Sequence, residues 1–143
     1  MIRLLIVDDE RLEREGVKYL LAQENKEWRI YETANGKDAL RILREEKIDL
    51  LLTDIKMPHM DGLELTSKAK ELYPELPVVI FSGYSDFAFA QEAMRYGVTE
   101  YVPVSYTHLL ISGTFVFGYN LVLQNSRYLC YNLCQWDYRL RRI

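Results

Sequence analysis

The chain is short of cysteine, histidine and proline, with two, two and four of them in 143 residues. Cys130 and Cys134 are too few for a disulfide framework. Their helical spacing makes no zinc site without two further ligands. His59, alone among loop residues, reads as a solvated side chain rather than a metal ligand. No glycine-rich loop that could cradle a phosphate is present, which sets nucleotide chemistry aside. No apolar run approaches the roughly 20 residues that span a bilayer. The amino terminus, Met1-Ile2-Arg3-Leu4, leads straight into an apolar strand rather than into a signal-peptide layout. These absences lead us to expect a cytoplasmic protein with no membrane contact. The length is that of one domain, and 49% hydrophobic residues suffice for a core.

Charge is unevenly spread. Residues 1–102 carry 14 Lys and Arg against 20 Asp and Glu. Residues 103–143 carry four Arg against the single acid Asp137, and contain no Lys, Glu or Ala. They also hold both cysteines and 8 of the 18 aromatic residues. The composition therefore breaks near residue 103. Arg139, Arg141 and Arg142 are too few to mark a nucleic-acid footprint.

What is present is a regular alternation. Residues 2–7 read as a buried strand ended by Asp8-Asp9-Glu10. Residues 10–24 read as a helix, with Leu12, Gly16, Leu20 and Val17, Leu21 at i, i+4 spacing. Trp28 to Ala34 reads as strand, and Asn35-Gly36 as a turn. Lys37 to Lys47 follows as a helix with Ala39, Leu40 and Leu43 inward. Asp49 to Thr53 is the central strand and Asp61 to Leu72 a third helix, stopped before Pro74. Pro77 to Phe81 is a fourth strand. Ser85 or Asp86 can cap a helix that runs to about Tyr96, with Phe87, Ala90 and Met94 on its core side. Gly97 stops that helix, and Thr99 to Val102 begins a fifth strand. Such alternation predicts an α/β fold, a doubly wound parallel sheet with right-handed crossovers.

Asp54 ends the central Leu-rich run, and Asp8 and Asp9 end the first. In open α/β sheets, ligands bind at the carboxyl ends of the strands. If those two strands are neighbours, three carboxylates converge there and raise one another's pKa. Mg²⁺, a hard cation that takes oxygen ligands, resolves the repulsion. A carboxylate beside it can attack phosphorus, and Ser82 can hydrogen-bond a phosphoryl oxygen.

The wording of these segments is specific. Leu5-Ile6-Val7-Asp8-Asp9-Glu10, Leu52-Thr53-Asp54-Ile55-Lys56-Met57-Pro58-His59-Met60-Asp61-Gly62, Val79-Ile80-Phe81-Ser82-Gly83 and Gly97-Val98-Thr99-Glu100-Tyr101-Val102 together resemble the receiver domain of two-component response regulators. The resemblance implies a flavodoxin-like receiver fold with strand order 2-1-3-4-5. It implies that Asp54 is the phosphoacceptor, and that Asp8, Asp9, Asp54 and the backbone carbonyl of Lys56 hold Mg²⁺. Ser82 would contact the phosphoryl group and Tyr101 would swing inward with it. A sensor histidine kinase is the implied partner, a homodimer of the intact protein fits the family, and the output would be transcriptional. DNA contact is expected only through an output domain, which this sequence does not display. The run Ser82-Gly83-Tyr84-Ser85-Asp86-Phe87 is similar to receivers that precede AraC-type helix-turn-helix domains.

The resemblance covers residues 1–102 and then stops. Counting from Tyr101, the family's lysine falls on Val104 and its cis-proline on Ser105. The amphipathic fifth helix is missing or replaced. Pro103 to Leu109 matches one reading frame of the transposase end sequence used in sequencing-library preparation. Residues 103–143 are therefore expected to be a non-native tail of adapter or chimeric read-through, loose and prone to proteolysis.

Two other functions compete with the phospho-switch. A receiver-like interaction module that is never phosphorylated would account for the missing lysine. A phosphatase of the haloacid dehalogenase type also uses an aspartyl nucleophile, but it needs a second Asp where Lys56 stands.

Overall fold

The computed structural model describes residues 1–22, 27–82 and 87–103. The elements run β1 (Ile2–Val7), α1 (Arg11–Ala22), β2 (Trp28–Thr33), α2 (Gly36–Glu45), β3 (Leu50–Thr53), α3 (Gly62–Leu72), β4 (Val78–Ser82), α4 (Phe87–Arg95) and β5 (Glu100–Pro103). The five strands form one parallel sheet in the order β2-β1-β3-β4-β5, as the sequence led us to expect. β5 runs one residue past the composition break.

The Leu-rich strands are buried on both faces, which is why they lack polar alternation. One face carries Leu4, Ile6, Leu50, Leu52, Val79 and Phe81 against Val17 and Leu21 of α1. The other carries Leu5, Val7, Leu51 and Val78 against Ala39, Leu40 and Leu43 of α2 and Leu65 and Ala69 of α3. Ile55, Leu63, Ile80, Ala93 and Val98 continue that second face toward α4, with Phe89 and Tyr101 packed against them.

Local chemistry sets the helix ends. The Asn35 side chain accepts the Asp38 N–H at 2.8 Å, and that of Asp61 accepts the Glu64 N–H at 2.8 Å. Gly97, at φ +76°, takes the left-handed turn that ends α4.

Of the two i, i+4 sets expected in α1, Val17 and Leu21 are buried as read, whereas Leu12 is 84% exposed. A second inward face differs from expectation. In α4 the inward residue is Ala93, flanked by Phe89, while Met94 is 59% exposed. Four apolar residues in a row, Phe87 to Ala90, give no helical phase from which to choose. The expected cap at Ser85 or Asp86, the turn at Gly83, the Val104 position, the fifth helix and the tail beyond Pro103 lie outside the described residues.

Candidate functional site

Strand register builds the site. Val7 is paired with Thr53 across β1 and β3, so Asp8 and Asp54 leave the sheet side by side. The Asp54 N–H donates to the Val7 carbonyl at 2.9 Å, and the Asp8 N–H to the Thr33 carbonyl at 3.2 Å. Carboxylate oxygens of Asp8, Asp9 and Asp54 lie within 4.8 Å of one another. The three expected acids are thus brought together. Asp8 is buried, Asp54 half-buried and Asp9 exposed.

The loop after Asp54 is held tightly. The Gly62 N–H donates to the Ile55 carbonyl at 2.7 Å, and the Thr53 hydroxyl to the Asp54 carbonyl at 2.9 Å. A Cβ at Gly62 would stand 1.9 Å from the Asp54 carbonyl oxygen, so only glycine fits there. His59 sits in the same loop at φ +69°.

Electrostatics at this rim oppose ionisation. Burial pushes the Asp54 carboxyl up to about 6; the charges of Asp8 and Asp9 add to it, and hydrogen bonds from the Ile55 backbone and the Ser82 hydroxyl restrain it. Burial also raises Asp8, against the hydrogen bond from the Glu10 N–H at 2.7 Å. Glu13 is an unexpected fourth acid. Burial, a hydrogen bond to Asp8 and the charges of Asp8, Glu10 and Asp54 push it up to about 8. The hydrogen bond between the two works in opposite directions, raising Glu13 and lowering Asp8, so it favours the proton on Glu13. A signal for Glu13 existed in the sequence, since Glu13, Val17 and Leu21 form one i, i+4 stripe.

Of the other expected residues, Ser82 joins the acids through its hydrogen bond to Asp54, while Lys56 and Tyr101 lie toward the α4 side. Ser82 ends β4, fully buried. Tyr101 is half-buried in β5, opposite Ile80, and packs on the Ile55–Ala93 cluster. The Lys56 side chain is exposed and its Nζ lies 5.6 Å from the centre of the Phe89 ring. A cleft of about 550 Å³ opens at the opposite, amino end of the sheet, between Asp49, Tyr73 and Pro77. It holds none of the expected site residues.

Clustered, partly buried oxygen donors that repel one another are a fitting donor set for a hard divalent cation. Among the described residues, the nearby Arg14 does not supply that charge: its Nη1 donates to the Asp8 backbone carbonyl at 2.6 Å and it pairs with Glu32.

Residues 4–107 match the model of the response regulator receiver domain. The chain belongs to that family. An uncharacterized transcriptional regulatory protein of Bacillus subtilis, YesN, is 35% identical over 108 residues, 71% of this chain and 28% of its own length. The DNA-binding transcriptional regulator NtrC of Proteus hauseri is 41% identical over 98 residues, 68% of this chain and 20% of its own length. This receiver chain spans between 20% and 47% of the length of such curated relatives. Among solved structures, the response regulator TrrA of Thermotoga maritima, in complex with Mg²⁺-BeF, superposes with TM-score 0.66 at 30% identity. That match covers 74% of this chain and 89% of TrrA. The response regulator domain of Thermotoga maritima CheB shares the fold, with TM-score 0.76 at 22% identity over 94% of this chain and 95% of its own. No helix among the described residues is long and apolar enough to cross a membrane.

Proposed function

We propose that this receiver accepts a phosphoryl group on Asp54 from the phosphohistidine of a sensor histidine kinase. The observation that carries the reading is the meeting of three carboxylates at the carboxyl ends of two adjacent strands, with the Ser82 hydroxyl on the central one. An Asp54 oxygen forms the new bond to phosphorus and the P–N bond to the histidine breaks. The electron pair stays on the imidazole nitrogen, which takes a proton from solvent. Asp8, Asp9, Asp54 and the Lys56 carbonyl would hold Mg²⁺, which when bound supplies positive charge to the transferring phosphoryl group. Ser82 then hydrogen-bonds a phosphoryl oxygen, and Tyr101 moves deeper into the cluster it already touches.

On this reading the chain is a regulatory acceptor, not a turnover enzyme; its reactions are the gain and loss of its own phosphoryl group. Its longer relatives named as transcriptional regulators support an output on transcription. DNA contact and homodimer formation would belong to the intact protein. Residues 1–102 are the receiver part, and residues 103–143 remain our candidate for adapter read-through. An intact native gene that reads through residue 103 with this same sequence would refute that assignment.

Acetyl phosphate with Mg²⁺ should label the chain, and Asp54→Asn should abolish the label. A label that survives this substitution excludes Asp54 as the acceptor.

A further inference from the structure

We propose that Met60 is a positioning residue: seated on Gly36 at the start of α2, its side chain holds the loop after Asp54 in the shape that the cation and the phosphoryl group require. The inference rests on the phosphoacceptor reading above and adds a residue to it. Gly36 has no side chain, and Met60 fills the space. A Cβ there would stand 2.7 Å from the Met60 Sδ, 2.8 Å from its Cγ and 3.1 Å from its Cβ. Three successive atoms of the methionine, not only its tip, therefore lie against the glycine. Gly36 is buried and Met60 half-buried, packed against the core cluster that holds Ala39, Leu40 and Met57. The seat is firm, because Asn35 caps α2 with both ends of its amide. Its Oδ1 accepts the Asp38 N–H at 2.8 Å, and its Nδ2 donates to Asp38 Oδ2 at 2.9 Å.

The loop needs such a hold. The Met60 N–H donates to the Pro58 carbonyl at 2.8 Å, closing a three-residue turn about His59, whose φ is +69°. That sign of φ marks the rare, strained form of this turn. A side-chain-bearing residue stays in such a conformation only where its surroundings over-determine it. At one end the Gly62 N–H closes the loop on the Ile55 carbonyl at 2.7 Å. Beside the turn itself, Met60 is pressed to Gly36. The backbone carbonyl of Lys56, our proposed ligand, lies within the loop so closed. The entry to α2 also reaches the other side of the rim, since the Thr33 carbonyl accepts the Asp8 N–H at 3.2 Å. One short segment, Thr33 to Gly36, thus touches Asp8 and the acceptor loop together and fixes the spacing of donors that come from two strands. Outer partners that orient ligands in this way typically matter by about 10–100-fold in metal affinity or activity.

The test uses the full chain. Mg²⁺ binding is followed by calorimetry, Gly62 amide exchange by NMR in the metal-free protein, and folding of each variant by circular dichroism. Met60→Ala should weaken Mg²⁺ binding about tenfold and slow labelling by acetyl phosphate about tenfold at saturating Mg²⁺. Gly36→Ala keeps the methionine but expels it from its seat, so it should do the same. The double variant should then lose no more than either alone. Met60→Leu, close in volume, should keep Mg²⁺ affinity within about twofold. Gly62 amide exchange should quicken about tenfold in Met60→Ala before any ion is present. A Met60→Ala protein that melts earlier, yet binds Mg²⁺ and exchanges as before, would overturn the proposal, because Met60 would then be core packing alone. Additive losses in the double variant would overturn it too, as would an unsubstituted chain that binds no Mg²⁺. If Mg²⁺ binding follows the expected pattern but the unsubstituted chain takes no label, the phosphoacceptor reading falls and the role of Met60 stands.

Discussion

Asp49 and Asp54 flank the same buried strand, β3, and their surroundings differ in the sign of the nearest charge. At the amino end, Arg3 grips Asp49 with Nε to Oδ2 and Nη2 to Oδ1 at 2.9 Å each, and its backbone N–H adds a third contact at 2.9 Å. Burial would raise the Asp49 carboxyl, but these hydrogen bonds outweigh it and hold it below its usual value. At the carboxyl end, burial and the charges of Asp8 and Asp9 lift Asp54 to about 6. The chain thus neutralises one carboxylate with its own arginine and leaves the other surrounded by acids. Like charges gathered at one end of β3, against a neutralised pair at the other, suit the cation site we propose.

The sharpest way to break this contrast is steric. Gly62→Ala would drive a Cβ to 1.9 Å from the Asp54 carbonyl oxygen and 2.9 Å from its carbon, both backbone atoms that cannot rotate away. We expect a loss of about 3 kcal/mol in urea unfolding, together with loss of Asp54 labelling. Gly16→Ala, on exposed α1 with nothing within 4 Å, should instead stabilise by about 0.5–1 kcal/mol. Equal costs at the two glycines would mean that the loop after Asp54 is not tightly packed.

The next largest effect is that of cation and pH. The carboxyls of Asp54, at about 6, and Glu13, at about 8, lie above their ordinary 3.8 and 4.5. Folded protein therefore holds more protons than unfolded protein between the ordinary and raised values. Their contribution falls as pH rises, from about pH 4 to 6 for Asp54 and on to about 8 for Glu13. Mg²⁺ at a hundredfold excess over its dissociation constant should restore about 2.7 kcal/mol at pH 8. At pH 5 it should restore far less, because protons occupy the same oxygens. Thermal melts with and without Mg²⁺ at both values read this directly; an equal gain at both would detach the ion from these acids.

How much of this was legible beforehand depends on how each residue signals. The buried strands announced themselves, because a Leu-rich run closed by an acid has few other readings, and the register then delivered Asp8 beside Asp54. Glu13 stayed hidden because a charged residue on a helix is read as solvent-facing, and Leu12 beside it offered a competing apolar stripe. Its place in the first turn of α1, directly after the Asp8-Asp9-Glu10 run, brings that glutamate into a hydrogen bond with Asp8. The phase of α4 was hidden for the opposite reason, an apolar run with no polar residue to orient it. The Lys56–Phe89 contact joins residues far apart in sequence, so it needed the packing of α4 on Ile55.

The smallest effect is also the most direct reading of the two aspartates, since one kind of substitution should act with opposite signs. Asp49→Asn removes the charge that Arg3 grips, leaving a part-buried guanidinium with weaker partners, and should cost about 1 kcal/mol at pH 7. Asp54→Asn removes a carboxylate that burial and its neighbours disfavour. Without Mg²⁺ it should stabilise by about 1 kcal/mol at pH 8, after allowance for solvent screening of a half-exposed group. Near pH 4 that gain should vanish, because the native carboxyl is then already protonated. With Mg²⁺ the order should invert, since the Asp54→Asn protein no longer offers a charged ligand there while Asp49→Asn leaves the rim intact. Two aspartates on one strand would then be separated by a single titration with magnesium.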